Sequence, residues 1–124
     1  MTPQPRSRLS FPCDRARGPR VIVRGDIWDA DLGPVVRPVL IVTRDTAIPV
    51  LSRIVCVAIT KTIRKHLAEV ELSREHGLDE PSAANCDWLM TVAKDRLVRH
   101  RGRLDPVTAR RVNAALVLAL ELDH

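Results

Sequence analysis

The sequence predicts a small, strongly curved antiparallel β-sheet, similar to a barrel, followed by one C-terminal helix. Three observations favour this fold class. Short runs rich in apolar and β-branched residues recur between residues 24 and 104, separated by turn signals. A clear helix start signal, Asp105-Pro106, follows the last of these runs. The chain has 124 residues, which is enough for one domain with one hydrophobic core.

The strand pattern predicts five or six short strands in six segments. The segments are Arg24–Leu32, Pro38–Thr43, Ile54–Thr60, Ala68–Leu72, Ala83–Val92 and Leu97–Leu104. The first alternates between apolar and acidic residues, as strands often do. The second and third are continuous apolar runs, which are typical of strands covered on both faces. Gly33-Pro34 and the loop at 77–81 supply turn signals.

A single helix is predicted from residue 105 to residue 122. Asp105 is a good N-cap, and Pro106 suits the first helical position. The second half of this helix is apolar nearly all round. We therefore expect it to be buried in the domain or against a second subunit.

The charge distribution separates a basic arm from the domain. Residues 1–20 contain five arginines and one aspartate, so they carry +4 of the net charge of +5. They are predicted to form a disordered arm, and residues 21–124 a single domain. A natural start nearer Val21 or Val23 stays open. Because the domain itself carries only +1 (+5 minus +4), net charge alone does not indicate a nucleic-acid-binding domain.

Cysteine spacing and hydropathy predict a cytoplasmic protein. The three cysteines are an odd number without CxxC spacing, which indicates reduced thiols. The longest apolar stretch, 114–120, is too short to span a membrane. The N-terminal arginines are not followed by the apolar segment of a secretory signal. No set of His, Asp or Glu residues has metal-ligand spacing, so neither a metal nor another cofactor is expected.

Three groups of segments, in this order, carry a family pattern. The first is Arg24-Gly25-Asp26-Ile27-Trp28 followed by Asp31-Leu32. The second is Arg37-Pro38-Val39-Leu40-Ile41-Val42. The third consists of residues 57–60, 69–72, 82–87 and 102–104. Together, these segments resemble the MazF/PemK family of toxins.

This resemblance implies a fold and an activity. The implied fold is an SH3-like barrel of the MazF/Kid/CcdB type. The resemblance also implies that the protein forms a homodimer and that it cleaves single-stranded messenger RNA at short sequences. A cognate antitoxin with an acidic, partly disordered tail is implied to inhibit it by covering the dimer groove. In the family, the arginine of the Arg-Pro-apolar strand and the threonine closing the next buried strand act at the scissile phosphate. They correspond to Arg37 and Thr60, which are therefore the candidate catalytic residues.

These two residue types suit RNA cleavage without a metal ion. In that reaction the neighbouring 2′-hydroxyl attacks the phosphate and leaves a 2′,3′-cyclic phosphate and a 5′-hydroxyl. The protein must align the hydroxyl and stabilise the developing negative charge. A guanidinium such as that of Arg37 grips two phosphate oxygens and keeps its charge. Strand alternation puts Thr60 on the face of Cys56 and Ala58, at the point where that face becomes polar.

Five further residues are candidates for RNA binding: Lys61, Arg64, Lys65, Trp28 and Asp87. The three basic residues follow Thr60 and can hold the RNA backbone, although a solvated basic turn explains them nearly as well. Trp28 is also expected to pack in the barrel core. Since the chain has only three aromatic residues, we do not expect the stacking platform of common RNA-binding sheets. Phosphate contacts should then dominate RNA binding.

The sequence departs from the family pattern at two places. Only residues 33–36 stand where the family often has a long loop that gates the site. Trp88, Leu89 and Met90 follow Asp87, where the family often has glutamine, an apolar residue and arginine. A second positively charged side chain at the site is therefore missing or is supplied from elsewhere in the chain.

Neither the general acid nor the general base is identified from the sequence. Histidine is a common general acid or base, which makes His66 and His100 candidates, but a lone histidine among arginines is more often a surface cation. Two alternatives stay open, because a fold does not determine a function. One is a toxin with the same barrel that binds DNA gyrase without catalysis, and the other is a non-catalytic RNA-binding module.

Overall fold

The computed structural model describes residues 21–122, and the predicted N-terminal arm lies outside this range. It contains six strands and one long helix. They are β1 (Asp26–Asp31), β2 (Val36–Ile41), β3 (Arg53–Thr60), β4 (Glu69–Leu72), β5 (Ser82–Ala93), β6 (Leu97–Arg103) and α1 (Pro106–Leu120). Two short 3₁₀ turns, Arg74–His76 and Lys94–Arg96, precede β5 and β6. Every predicted strand is present and the helix comes last, so the predicted fold class is confirmed.

The six strands form one curled antiparallel sheet in the order β4-β5-β3-β2-β1-β6. The strands β2 and β3 lie at its centre, and their register pairs Val39 with Ala58 and Ile41 with Cys56. In the described part of the chain, no helix has the length and apolar character needed to cross a membrane. Arg37 lies on β2 and Thr60 ends β3, so the centre of the sheet positions both candidate catalytic residues.

Strand alternation gives this sheet two apolar faces, each with its own core. The first core lies between the sheet and α1 and includes Leu40 and Val57. The second core, on the opposite face, includes Val39 and Cys56 and is covered by Ile48 from the β2–β3 connection. Because neighbouring residues of β2 and β3 point into different cores, the central parts of both strands, 38–41 and 54–59, are apolar. This explains the continuous apolar runs in their sequences.

The helix α1 begins where the sequence predicts. The Asp105 side chain accepts a hydrogen bond from the Thr108 backbone N–H at 3.1 Å, as an N-cap does. Further along, Ala115 is buried in the first core, whereas Leu118 and Leu120 stay 49% and 48% exposed. Within one subunit, only one side of the apolar second half of α1 is therefore buried. Burial of the other side against a second subunit stays a prediction.

Two backbone segments cross in close contact beside α1. Gly77 ends the first 3₁₀ turn with φ +93°, and a Cβ there would lie 2.0 Å from the Arg101 carbonyl oxygen. A Cβ on Gly102 would lie 2.1 Å from the His76 carbonyl oxygen. Since backbone atoms block both positions, only glycine fits at either one.

The crossing places the buried His76 under the start of α1. Its Nδ1 accepts a hydrogen bond from the Ser73 backbone N–H at 3.1 Å, so its proton is on Nε2. That nitrogen lies 2.9 Å from Asp105 Oδ1 and 3.3 Å from Thr108 Oγ1. The network links the β4–β5 connection to the helix cap.

Candidate active site

Arg37 and Thr60 lie beside each other at one end of the β2–β3 pair. The last pair of their register at this end is Val39 with Ala58, and Arg37 and Thr60 each lie two residues beyond it. Residues two apart on a strand share a face, so Arg37 lies on the face of Val39, and Thr60 on the face of Cys56 and Ala58, which is the face of the second core. Arg37 Nη2 also donates a hydrogen bond to the Ile59 carbonyl at 3.2 Å. The structure therefore brings together the two residues predicted to be catalytic.

A bulge in β5 presents an aromatic ring to this pair. The β3–β5 register pairs Val57 with Leu89 but Ala58 with Asn85, so residues 86–88 form the bulge. In it, the Trp88 ring centroid lies 4.8 Å from Arg37 Cζ, which is a cation–π distance. Sequence reasoning missed this contact. The available signal was that tryptophan stands where the family often has glutamine.

A buried carboxylate organises the basic loop that follows Thr60. Glu69 Oε1 accepts hydrogen bonds from the backbone N–H groups of Arg64 and Lys65 at 2.9 and 2.8 Å. The Glu69 side chain is only 2% exposed. At the other end of the loop, Thr60 Oγ1 accepts a hydrogen bond from the Thr62 N–H at 3.1 Å. The loop is thus held at both ends, which sequence reasoning did not predict.

The three predicted RNA-binding cations lie on the surface of this loop. Lys61 Nζ is 3.1 Å from Glu80 Oε2 in an exposed pair. Arg64 and Lys65 are also exposed, and neither forms a salt bridge within residues 21–122. Exposed ion pairs contribute little to stability, so the pair with Glu80 leaves Lys61 able to exchange partners. All three side chains are accessible to a phosphate backbone.

The other two RNA-binding candidates have opposite environments. Trp28 is 3% exposed in the second core, as its predicted packing requires. Its ring is therefore not accessible to RNA in this structure. Trp28 can affect RNA binding only indirectly, by supporting the sheet near Arg37. Asp87 is exposed and belongs to the same bulge as Trp88. Its assignment to RNA binding stays a prediction.

The two candidate histidines lie on different elements of the fold. His66 belongs to the basic loop, with Nε2 3.6 Å from Glu69 Oε2 and Nδ1 4.0 Å from Asp87 Oδ2. His100 lies on β6 opposite Trp28, with β1 between its strand and β2.

Basic residues of β6 form internal ion pairs with β1. Arg103 Nε lies 2.7 Å from Asp26 Oδ1, and Arg101 Nη1 lies 3.2 Å from both carboxylate oxygens of Asp29. These four charges stabilise the pairing of two strands. Between residues 21 and 122, no three His, Cys, Asp or Glu side chains are grouped closely enough to hold a metal ion.

Comparison with known proteins gives the same family as the segment pattern. Residues 23–120 match the family described as PemK-like, MazF-like toxin of type II toxin–antitoxin system. The probable endoribonuclease MazF5 of Mycobacterium tuberculosis is 36% identical over 102 residues, which cover 79% of this chain and 92% of that protein. Endoribonuclease EndoA of Bacillus subtilis is 30% identical over 112 residues, which cover 82% of this chain and 97% of that protein.

Solved structures extend the similarity to the fold. The Mycobacterium tuberculosis toxin MazF-mt6 has a TM-score of 0.75 and 33% identity, and the match covers 80% of this chain and 99% of that one. A mycobacterial endoribonuclease in complex with its cognate antitoxin has a TM-score of 0.75 and 30% identity, covering 83% and 98%. The chain therefore belongs to the PemK-like, MazF-like family of toxins of type II toxin–antitoxin systems.

Proposed function

We propose that this MazF-type toxin endoribonuclease cuts single-stranded messenger RNA in the cytoplasm at a short, specific sequence and without a metal ion. The 2′-hydroxyl next to the scissile phosphate is the nucleophile, and the products carry 2′,3′-cyclic phosphate and 5′-hydroxyl ends. One observation carries this proposal. It is the hydrogen bond from Arg37 to the Ile59 carbonyl, directly before Thr60, at the end of the β2–β3 pair where both candidate residues lie.

Arg37 has the geometry of a phosphate clamp. Its guanidinium has five N–H donors, and Nη2 uses one of them on the Ile59 carbonyl. The remaining donors can bind two phosphate oxygens in a bidentate manner. As the phosphate becomes a phosphorane, the fixed positive charge stabilises the added negative charge.

Thr60 is suited to donate its hydroxyl proton. Its Oγ1 already accepts a hydrogen bond from the Thr62 N–H, which orients the oxygen. Since a hydroxyl has one proton to donate, that proton can reach a phosphate oxygen or the leaving 5′-oxygen. The assigned role of Thr60 is to stabilise charge at one of these two atoms.

The basic loop supplies the contacts that hold the RNA backbone. Arg64 and Lys65 are exposed on the loop that follows Thr60, and Glu69 fixes their backbone through the two hydrogen bonds described above. Each phosphate contact releases counterions, so RNA affinity should fall steeply as salt is raised. RNA affinity that does not change between about 50 mM and 200 mM salt would contradict this part of the proposal.

We further propose that the toxin works as a homodimer and is inhibited by an antitoxin with an acidic tail. The half-exposed Leu118 and Leu120 of α1 support a contact between subunits. The exposed cations of the loop after Thr60 suit an acidic tail, because such a tail competes with RNA for the same charges. The mycobacterial relative bound to its cognate antitoxin supports an antitoxin partner.

The proposed reaction is tested by incubating the purified chain with a long single-stranded RNA in EDTA and mapping the new 5′ ends. Polynucleotide kinase should label these ends without prior phosphatase treatment, since they carry a hydroxyl. Cuts should recur at one short sequence and disappear in Arg37→Ala. A requirement for Mg²⁺, 5′-phosphate ends, or cleavage by the variant at the wild-type rate would each contradict the mechanism. Inhibition of gyrase supercoiling without RNA cleavage would favour the gyrase-binding alternative.

A further inference from the structure

We infer that Trp88 is the base-stacking residue of this site: one side of its ring holds Arg37, and another receives an unpaired RNA base next to the cleaved phosphate. The inference rests on the proposed function, because it takes Arg37 as the phosphate ligand. It adds a residue that positions the arginine and binds the nucleotide.

The exposure of Trp88 is the first observation. The tryptophans of the chain are Trp28 and Trp88. Trp28 is 3% exposed in a core, whereas Trp88 is 44% exposed. Tryptophan is highly buried on average, so a half-exposed ring beside a candidate active site indicates a binding surface. The β5 bulge at 86–88 puts it there.

The contact with Arg37 is the second observation. The guanidinium is held by the Trp88 ring, 4.8 Å from Cζ to the ring centroid, and by the Ile59 carbonyl. These partners come from two different strands, β5 and β3. Two contacts of different direction restrict where the charge can lie, and such restriction favours catalysis by a charged group. Trp88 is thus a positioning residue for Arg37.

The geometry also defines which part of the RNA the ring can reach. A phosphate bound by Arg37 brings the flanking nucleotides close to the ring that contacts the same guanidinium. Bases of single-stranded RNA are unstacked and readily stack on an aromatic side chain. One ring can stack on one base. The chain has too few aromatic residues for a platform that stacks several bases. The ligand class is therefore a single unpaired nucleobase flanking the scissile phosphate.

Tryptophan fluorescence gives a direct test. The probe is a 2′-O-methyl oligoribonucleotide with the mapped cleavage sequence, which cannot be cut because its nucleophile is blocked. If no cleavage sequence is found, 2′-O-methyl dodecamers of adenosine and of uridine take its place. We expect the probe to quench the fluorescence of the wild-type protein but not that of Trp88→Phe, which retains only the buried Trp28. Equal quenching in both proteins would overturn the inference.

A thermodynamic cycle tests the stacking itself. Removing the base on one side of the scissile phosphate should weaken wild-type binding by about 5- to 150-fold. Trp88→Ala should lose a similar factor on intact RNA but little more on the abasic RNA, because both changes remove the same contact. Trp88→Phe should keep most of the affinity, whereas Trp88→Leu, of similar apolar character, should not. Additive losses in the cycle would show that Trp88 and the base do not touch.

Further outcomes separate this inference from the proposed function. Normal RNA cleavage by wild type and Trp88→Ala, with unchanged KM and kcat, would overturn the inference and leave the function intact. If wild type does not cleave RNA, the proposed function is contradicted. The fluorescence measurement then still tests whether Trp88 stacks on an RNA base. A change from dimer to monomer in Trp88→Ala, measured by sedimentation, would assign Trp88 to a subunit contact instead. Circular dichroism and thermal unfolding establish that each variant is folded.

Discussion

A hydrogen bond from Arg37 Nη2 to the Ile59 carbonyl, 3.2 Å long, ties the candidate catalytic arginine of β2 to β3. Ile59 directly precedes Thr60, so the bond attaches the arginine to the strand that carries its predicted partner. The relative position of the two side chains therefore depends on strand register and not on a mobile loop. Sites built on regular elements hold their geometry more tightly than sites built on loops.

Replacement of Arg37 should affect the reaction far more than the fold. For Arg37→Ala we expect cleavage to slow by about 10²–10³-fold, as when one charge-stabilising donor is lost. Arg37→Lys keeps the charge without the planar fork and should recover only part of the rate. Initial cleavage rates at saturating RNA measure both effects. A wild-type rate in Arg37→Ala would remove the residue from the mechanism.

The Thr60 hydroxyl can be tested with two nearly isosteric variants. Thr60→Val removes the hydroxyl and keeps the shape, so the single-turnover rate should fall by about 10²-fold if a transition-state donor is lost. Thr60→Ser keeps the hydroxyl and should stay much closer to wild type. If valine and serine give the same rate, the hydroxyl has no chemical role and Thr60 only ends the strand.

Glu69 should matter for RNA binding through the loop that it holds. Glu69→Ala removes both hydrogen bonds to the Arg64 and Lys65 backbone, and we expect RNA affinity to fall by about 5- to 10-fold. Glu69→Gln retains an acceptor oxygen and serves as the matched control. Limited trypsin digestion provides a second measurement, because a released loop should be cut faster after Lys61, Arg64 or Lys65. Identical digestion patterns for the alanine and glutamine variants would argue against this role.

The helix cap makes stability depend on pH in the acid range. Hydrogen bonds from the Thr108 hydroxyl, from His76 and from the Thr108 backbone hold the pKa of Asp105 well below its ordinary value of 3.8. Since the folded pKa is the lower one, the stabilisation is fully present above the unfolded pKa and is lost as pH falls below about 4. Asp105→Asn should therefore be less stable than wild type at pH 7, and the difference should shrink toward pH 3. Urea unfolding at both pH values tests this, and a constant difference would contradict it.

Local patterns made most of the fold predictable, whereas long-range pairing explains what was missed. The apolar runs of β2 and β3 and the cap at Asp105 are short-range signals, and the structure confirms them. The bulge that turns Trp88 toward Arg37 depends on how β5 pairs with β3, which no local pattern encodes. The buried Glu69 was missed for a similar reason, because its partners are backbone groups of a neighbouring loop.

The candidate site also combines features that local sequence patterns predict with features that depend on long-range contacts. The family resemblance selected Arg37 and Thr60, and antiparallel register explains why they meet. The sequence leaves His76 as one histidine in a loop, yet it is buried and bonded to the cap of α1. Its burial depends on the crossing of two distant segments. Such tertiary crossings are the part of the structure that sequence reasoning does not reach.

The close crossing at Gly77 and Gly102 has a consequence for genetics. Each glycine is blocked by the other segment's backbone, so a side chain at either one forces the two segments apart. Gly102 lies on β6 and Gly77 ends the 3₁₀ turn after β4, so neither glycine belongs to the strands that carry Arg37 and Thr60. In a selection for cells that survive expression of this toxin, escape mutations should therefore arise at these glycines as well as at the active site. Survivors with a substituted glycine would lack folded toxin, whereas survivors with an active-site substitution would accumulate folded toxin without activity.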